Sequence, residues 1–391
     1  MSARRALLLA SMLALVCLPL VVRLAVYGDM PATWGRFPPQ QSAGVPGFSW
    51  FVFLAGVALA IGIIAWFITP TRFGFRPVPP TPTPRGPRVG LPAWFWPGVA
   101  LCLASWAVAW GLIPAGPLTR FAFVPQWWGF ILALDGLVYQ RTGGTSLLAR
   151  RPGGLLAIAG VSCVSWYFFE YLNYFVGSNW YYPHDALFSQ AGYLLWFGLA
   201  YTTVLPSIFV VYTLLTTFAP LRARFSAGPR IALSRGAWER VLVLGLVTLG
   251  LLIVWPAPLF PVLWLSPLMV VAAALMLSSR WTPFTPLGRG DWTPLALIAL
   301  ACALNYLVGE LWNFYSTAEN PNYWKYDVPY VNDPKLFEMP VLGFFGYLPF
   351  GVLCWTWWLH HAALLGLDPS IDVVPGLGPT TSWSPDPAVH P

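Results

Sequence analysis

The chain has 391 residues, 57% of them apolar and 17% aromatic but only 9% charged. Soluble domains carry about a quarter charged residues, and a chain this poor in polar groups cannot cover its own core in water; a soluble enzyme, a disordered tail protein and a disulfide-stapled secreted domain are excluded. The net charge of +7 sits in short loops between apolar runs rather than on one face, so nucleic acid is not an expected partner.

About 20 apolar residues cross a bilayer, and on that measure the sequence predicts an all-α, polytopic membrane protein with ten spans. Arg4 and Arg5 precede the first, 6–27. It looks like a signal peptide, but no A-x-A site follows and the apolar run continues to Val26, so an uncleaved helix is expected. The second span is 49–69. Residues 77–92, rich in proline, read as an extended linker. Four spans follow at 94–113, 124–140, 155–176 and 190–218. Pro256, Pro258 and Pro261 set a tight hairpin between the next two, 241–255 and 262–279. The last two are 294–315 and 340–362, and beyond Leu365 a proline-rich tail is expected to have little order.

Sixteen of the basic residues fall in one set of loops, whereas Arg36, Arg120, Lys325 and Lys335 fall in the other. The positive-inside bias then places both termini in the cytoplasm of a bacterial-type plasma membrane. The resulting organisation is a helix pair (1–76), a linker (77–93), two four-helix repeats (94–238 and 239–365) and a tail (366–391).

The repeats rest on a duplicated pattern. Glu170, Asn173 and Tyr174 precede a loop with Asn179, Trp180, Tyr181 and Tyr182; Glu310, Asn313 and Phe314 precede a loop with Asn322, Trp324 and Tyr326. An even number of spans per copy keeps orientation, so the copies are expected to be parallel, about a pseudo-twofold axis along the membrane normal.

Ionisable groups within a span are costly and call for a reason. Glu170 and Asn173 share a helical face, as do Glu310 and Asn313. Two such faces meeting at the pseudo-twofold would form one polar pocket. Glu310 is then the candidate proton donor and Glu170 its catalytic partner, with Asn173 and Asn313 orienting the carboxyls. Trp180, Trp324 and Tyr326 are the candidate substrate contacts; the alternative for these outer aromatics is an interfacial belt. A purely structural role for each Glu–Asn pair is the competing reading. Asp135 is expected to lie near the cytoplasmic side, within reach of Arg141. The long loop 316–339 is a candidate lid or docking surface.

Cys17, Cys102, Cys163, Cys302 and Cys354 form no C-x-x-C pair, so neither a metal site nor a disulfide framework is expected. His360 and His361 read as structural, with haem or pigment ligation the minor alternative. P-loop, dinucleotide, serine-hydrolase and zinc-protease motifs are absent, and no cofactor is expected.

The stretch 304–358 resembles the lycopene cyclase domain of the heterodimeric bacterial and fused fungal type, on Glu310 and Asn313, then Trp324 and Tyr326, then Leu336–Pro340, Phe344–Phe345 and Pro349–Phe350. The adjacent glutamate pair of that family falls on Pro340 and Val341 here, with Glu338 two or three residues earlier. The resemblance implies a membrane-embedded enzyme that acts by acid–base chemistry on an isoprenoid or carotenoid-like lipid. The alternatives are a non-catalytic accessory or scaffold subunit of a larger membrane complex, and a transporter.

Overall fold

The structure is a computed structural model and describes residues 3–42, 44–81, 89–374 and 377–378. It is all-helical; the strands among the described residues are four two-residue pieces in the loops. We number the main helices α1 (Ala3–Tyr27), α2 (Trp50–Ile68), α3 (Phe95–Ala109), α4 (Phe123–Arg141), α5 (Pro152–Phe175), α6 (Gln190–Tyr201), α7 (Val204–Thr216), α8 (Arg235–Val254), α9 (Val262–Leu277), α10 (Thr293–Phe314) and α11 (Tyr347–Leu365). Six stretches among the described residues are long and apolar enough to cross a membrane: α1, α2, α5, the pair α6–α7 (Gln190–Thr216), α8 and α10. The apolar helices α3 and α9 are shorter. This is a membrane protein.

The core lies around α5, α7, α9, α10 and α11, where Trp355, Trp357 and Trp358 of α11 are fully buried. The outer helices present Phe51, Leu54, Ile61, Val243 and Val247 outward, a distribution that hydrocarbon favours and water does not. Close helix crossings fall at small residues, where backbones can approach. A Cβ on Gly129 of α4 would stand 2.4 Å from the Cys102 nitrogen of α3, and one on Gly351 of α11 would stand 2.6 Å from the Ile298 oxygen of α10.

Three expectations change. The span 190–218 is two helices, broken at Thr202–Thr203. Pro206 lacks an N–H and its ring crowds the carbonyl four residues back; the Thr202 and Thr203 hydroxyls turn onto the Leu199 and Ala200 carbonyls, each at 2.6 Å. The helix expected from 340 begins at Tyr347, because Met339–Pro340 pairs with Lys335–Leu336 and Gly343–Gly346 forms a 3₁₀ turn.

Beyond α11, residues 367–374 pack on the bundle rather than trail away. Trp358 Nε1 donates to Pro369 O at 2.9 Å, Arg151 pairs with Asp368 at 2.9 Å, and Ile371, Val373 and Val374 are buried. Residues 375–376 and 379–391 of the expected tail, and 82–88 of the expected linker, lie outside the described residues.

Candidate functional site

Glu170 and Glu310 lie near the ends of α5 and α10, on the side where the long loops gather, and are 1% and 0% exposed. Four side chains close on Glu170. Its Oε1 accepts from Tyr182 (2.6 Å), Tyr201 (2.8 Å) and Trp166 Nε1 (3.1 Å), and its Oε2 from Trp180 Nε1 (3.0 Å). Around Glu310 the set is nearly the same: Oε1 accepts from Tyr326 (2.7 Å), Tyr347 (2.7 Å) and Trp324 Nε1 (3.2 Å). Tyr306 occupies the place of Trp166, one helical turn before the glutamate, and stacks on Tyr347 at 4.5 Å instead of donating to the carboxyl. The two shells differ at one oxygen. Glu310 Oε2 is buried and has no partner among the described residues.

The asparagines do not orient the carboxyls, contrary to expectation. Asn173 Nδ2 donates to Trp180 O at 2.8 Å; Asn313 Nδ2 donates to Trp324 O at 2.8 Å, and Asn313 Oδ1 accepts from Trp324 N at 2.9 Å. A helix end leaves its last backbone groups free, so a side chain there is well placed to tie the departing loop. Each asparagine thus fixes the loop whose tryptophan returns to the glutamate one turn earlier, and neither lines the cavity between the two glutamate shells.

The two loops meet. Trp180–Tyr181 pairs antiparallel with Lys325–Tyr326, Trp180 opposite Tyr326 and Tyr181 opposite Lys325. With Trp180 matched to Trp324 and Tyr182 to Tyr326 by their bonds to glutamate, this register is unchanged when the two segments are exchanged.

Between the shells lies a cavity of about 530 Å³. Trp166, Trp180, Tyr182 and Tyr201 line it from the first shell; Tyr306, Trp324, Tyr326 and Tyr347 line it from the second. Each carboxyl therefore stands one hydrogen bond behind the wall rather than in it. Trp264 and Phe350 add further faces, with Trp264 stacked on Trp180 at 5.4 Å and 4.9 Å from Phe350. Val52, Gly56, Leu59, Ala60 and Ile63, one face of α2, form the apolar side. A polar point is Asn305, whose Nδ2 donates to Ser207 at 3.2 Å and whose Oδ1 has no partner among the described residues.

The structure sets Trp180 on Glu170, and Trp324 and Tyr326 on Glu310, in two separate shells rather than in the single polar pocket expected. These aromatics turn inward onto the carboxyls. Sequence reading missed Trp166, which the i, i+4 spacing from Glu170 would have shown, and Tyr201 and Tyr347, which come from other helices 31 and 37 residues further on.

Asp135, His360 and His361 bond within the fold. Asp135 does not meet Arg141: its oxygens accept from Ser146 Oγ (2.7 Å) and Leu148 N (3.1 Å), capping the short turn Leu147–Arg150, while Arg141 donates to Thr217. His360 Nε2 lies 3.0 Å from Ser11 Oγ, and His361 Nδ1 lies 2.9 Å from Trp357 O. Loop 316–339 is held by the Arg120–Glu319 pair at 2.7 Å and a Tyr323–Glu338 hydrogen bond, and it roofs the cavity through Trp324, Tyr326, Val328 and Val331. Among the described residues no group of three or more His, Cys, Asp or Glu could hold a metal. Neither a protein-family model, nor a curated protein, nor a solved structure matches the chain.

Proposed function

We propose that the protein is a membrane-embedded cyclase or isomerase acting by acid–base chemistry on an isoprenoid or carotenoid-like lipid. The observation that carries this reading is one aromatic-walled, apolar cavity flanked by two carboxyl shells. Apolar walls suit a polyene chain, and ring faces stabilise a cation passing between them.

Proton transfer to one carbon of a double bond leaves a cation on its neighbour. Capture by a second double bond closes a ring, and loss of a proton from an adjacent carbon ends the sequence. Substrate and product are isomers, and the proton is returned. Glu310 is the proton source: a proton on its Oε2 leaves all three bonds to Oε1 intact. The hydroxyls of Tyr326 and Tyr347 lie between it and the cavity; in the transfer the carboxyl turns its proton to one of them, and that hydroxyl accepts it while giving its own hydrogen to the substrate carbon. Glu170, with both oxygens accepting, fits a carboxylate that offsets the cation's charge.

The same reading takes the chain as ten spans with both termini in the cytoplasm of a plasma membrane, two parallel four-helix repeats following the N-terminal pair. The matched shells and the exchangeable strand register support a pseudo-twofold through the Tyr181–Lys325 pair. Distant kinship to lycopene cyclase domains is part of the proposal, carried by Glu310, Asn313, Trp324 and Tyr326.

A second reading, a scaffold subunit held in a larger membrane complex, draws on the donors that already surround each carboxyl. Conversion of extracted native lipid by purified protein, compared with Glu310→Gln and Glu170→Gln, separates the two. Loss of conversion in folded Glu310→Gln protein supports the enzyme; unchanged conversion in both variants removes the acid–base mechanism.

A further inference from the structure

A second cavity, of about 720 Å³, opens at the opposite end of the bundle from the carboxyl shells. Arg4 and Arg5 in the first turn of α1, Arg280 just past the end of α9, and the last residues of α11 surround it. Three arginines line it, and no acidic side chain does so among the described residues. Arg5 donates to Leu364 O at 2.8 Å, so it is anchored at the end of α11. Burial, and then the neighbouring Arg4 charge, hold Arg280 below the usual arginine range. Like charges gathered in this way attract an anion between them.

The surface leading away from the cavity is apolar. Leu9, Leu13 and Val16 follow Arg5 at helical spacing along α1 and are 41%, 54% and 39% exposed. A stripe of that kind suits an acyl chain running down the helix, and a free inorganic anion would have no use for it.

We propose that this arginine-lined cavity binds the phosphodiester headgroup of an anionic membrane lipid, with an acyl chain lying along the Leu9–Leu13–Val16 face of α1. It is independent of the carboxyl-flanked cavity and of the reaction assigned to it.

The test is thermal unfolding of the full chain in detergent, followed by tryptophan fluorescence, with added short-chain phosphatidylglycerol, phosphatidylcholine or inorganic phosphate. Phosphatidylglycerol should stabilise at about tenfold lower concentration than phosphatidylcholine, the weight of one to two basic groups beside an anionic headgroup. That preference should vanish in Arg4→Gln and in Arg280→Gln, and persist in Arg240→Gln, an exposed arginine elsewhere. Three results overturn the proposal: no preference between the lipids, an equal effect of inorganic phosphate, or a preference that survives both cavity substitutions. Should Arg280→Gln fail to fold, Arg4→Gln alone decides.

Discussion

Replacing each carboxyl by its amide tests whether the two shells have different roles. A glutamine at 170 must set its NH₂ either against Trp180 Nε1–H or against Trp166 Nε1–H and the two tyrosine hydroxyls. Hydroxyls can turn to accept, but an indole N–H only donates. One buried indole loses its partner in either orientation, at a cost of about 1–3 kcal/mol. A glutamine at 310 keeps its oxygen toward Trp324, Tyr326 and Tyr347, while its NH₂ takes the Oε2 place where no donor stands among the described residues. The protonated carboxyl is itself an uncharged acceptor, so its amide keeps the same bonds and costs little, about 1 kcal/mol or less. Thermal unfolding in detergent should therefore rank Glu170→Gln clearly below Glu310→Gln. Lipid conversion by Glu310→Gln should nevertheless fall by about 10²–10⁴-fold, the range of a lost general acid. Equal destabilisation of the two variants, or Glu310→Gln protein that turns over normally, would refute this assignment.

Tyr347→Phe removes one of the two hydroxyls between Glu310 and the cavity; unfolding should show a loss of about 1–2 kcal/mol, and conversion should drop more than the stability change explains. Asn313→Ala frees both backbone groups of Trp324 and should cost about 1–3 kcal/mol in the same assay, with Trp324 fluorescence shifted to the red. Asp135→Ala removes the acceptor of Ser146 Oγ and Leu148 N at the start of Leu147–Arg150 and should lower stability by about 1 kcal/mol while specific conversion stays unchanged. Asp372, outside the spans, is pushed up to about 7 by burial. The packed segment then holds a proton that the released segment gives up from about pH 4, so its attachment is fully favoured below that value and weakens as pH rises through 7. Limited proteolysis after Leu365 should accelerate over that window in the native chain and lose its pH dependence in Asp372→Asn.

Each apolar run picked out along the chain contains helix, because hydrophobic length and charge placement are local properties of the sequence. The break at Thr202–Thr203 was equally local, since Pro206 marks it through the carbonyl four residues back, but apolar length outweighed that signal. Residues 367–374 escaped because Ile371, Val373 and Val374 are too few to form a period, and their burial depends on a surface built by α4, α7 and α11. At the site, the duplicated Glu–Asn spacing led to the two carboxyls and to the tryptophans that return on them. It misjudged the asparagines: a side chain on the same face as a glutamate need not bond to it when a loop backbone lies nearer. Tyr201 and Tyr347 follow only from tertiary packing, which places α6 against α5 and α11 against α10.

The central claim is that a proton held at Glu310 is delivered into the aromatic cavity. Turnover of a polyene isoprenoid by the purified protein in D₂O, read by mass spectrometry of the product, tests it directly. Each ring closed or double bond shifted should bring one deuterium into the product formed by the native protein, and folded Glu310→Gln protein should yield none. Unlabelled product, or labelling that persists without the Glu310 carboxyl, would contradict the account.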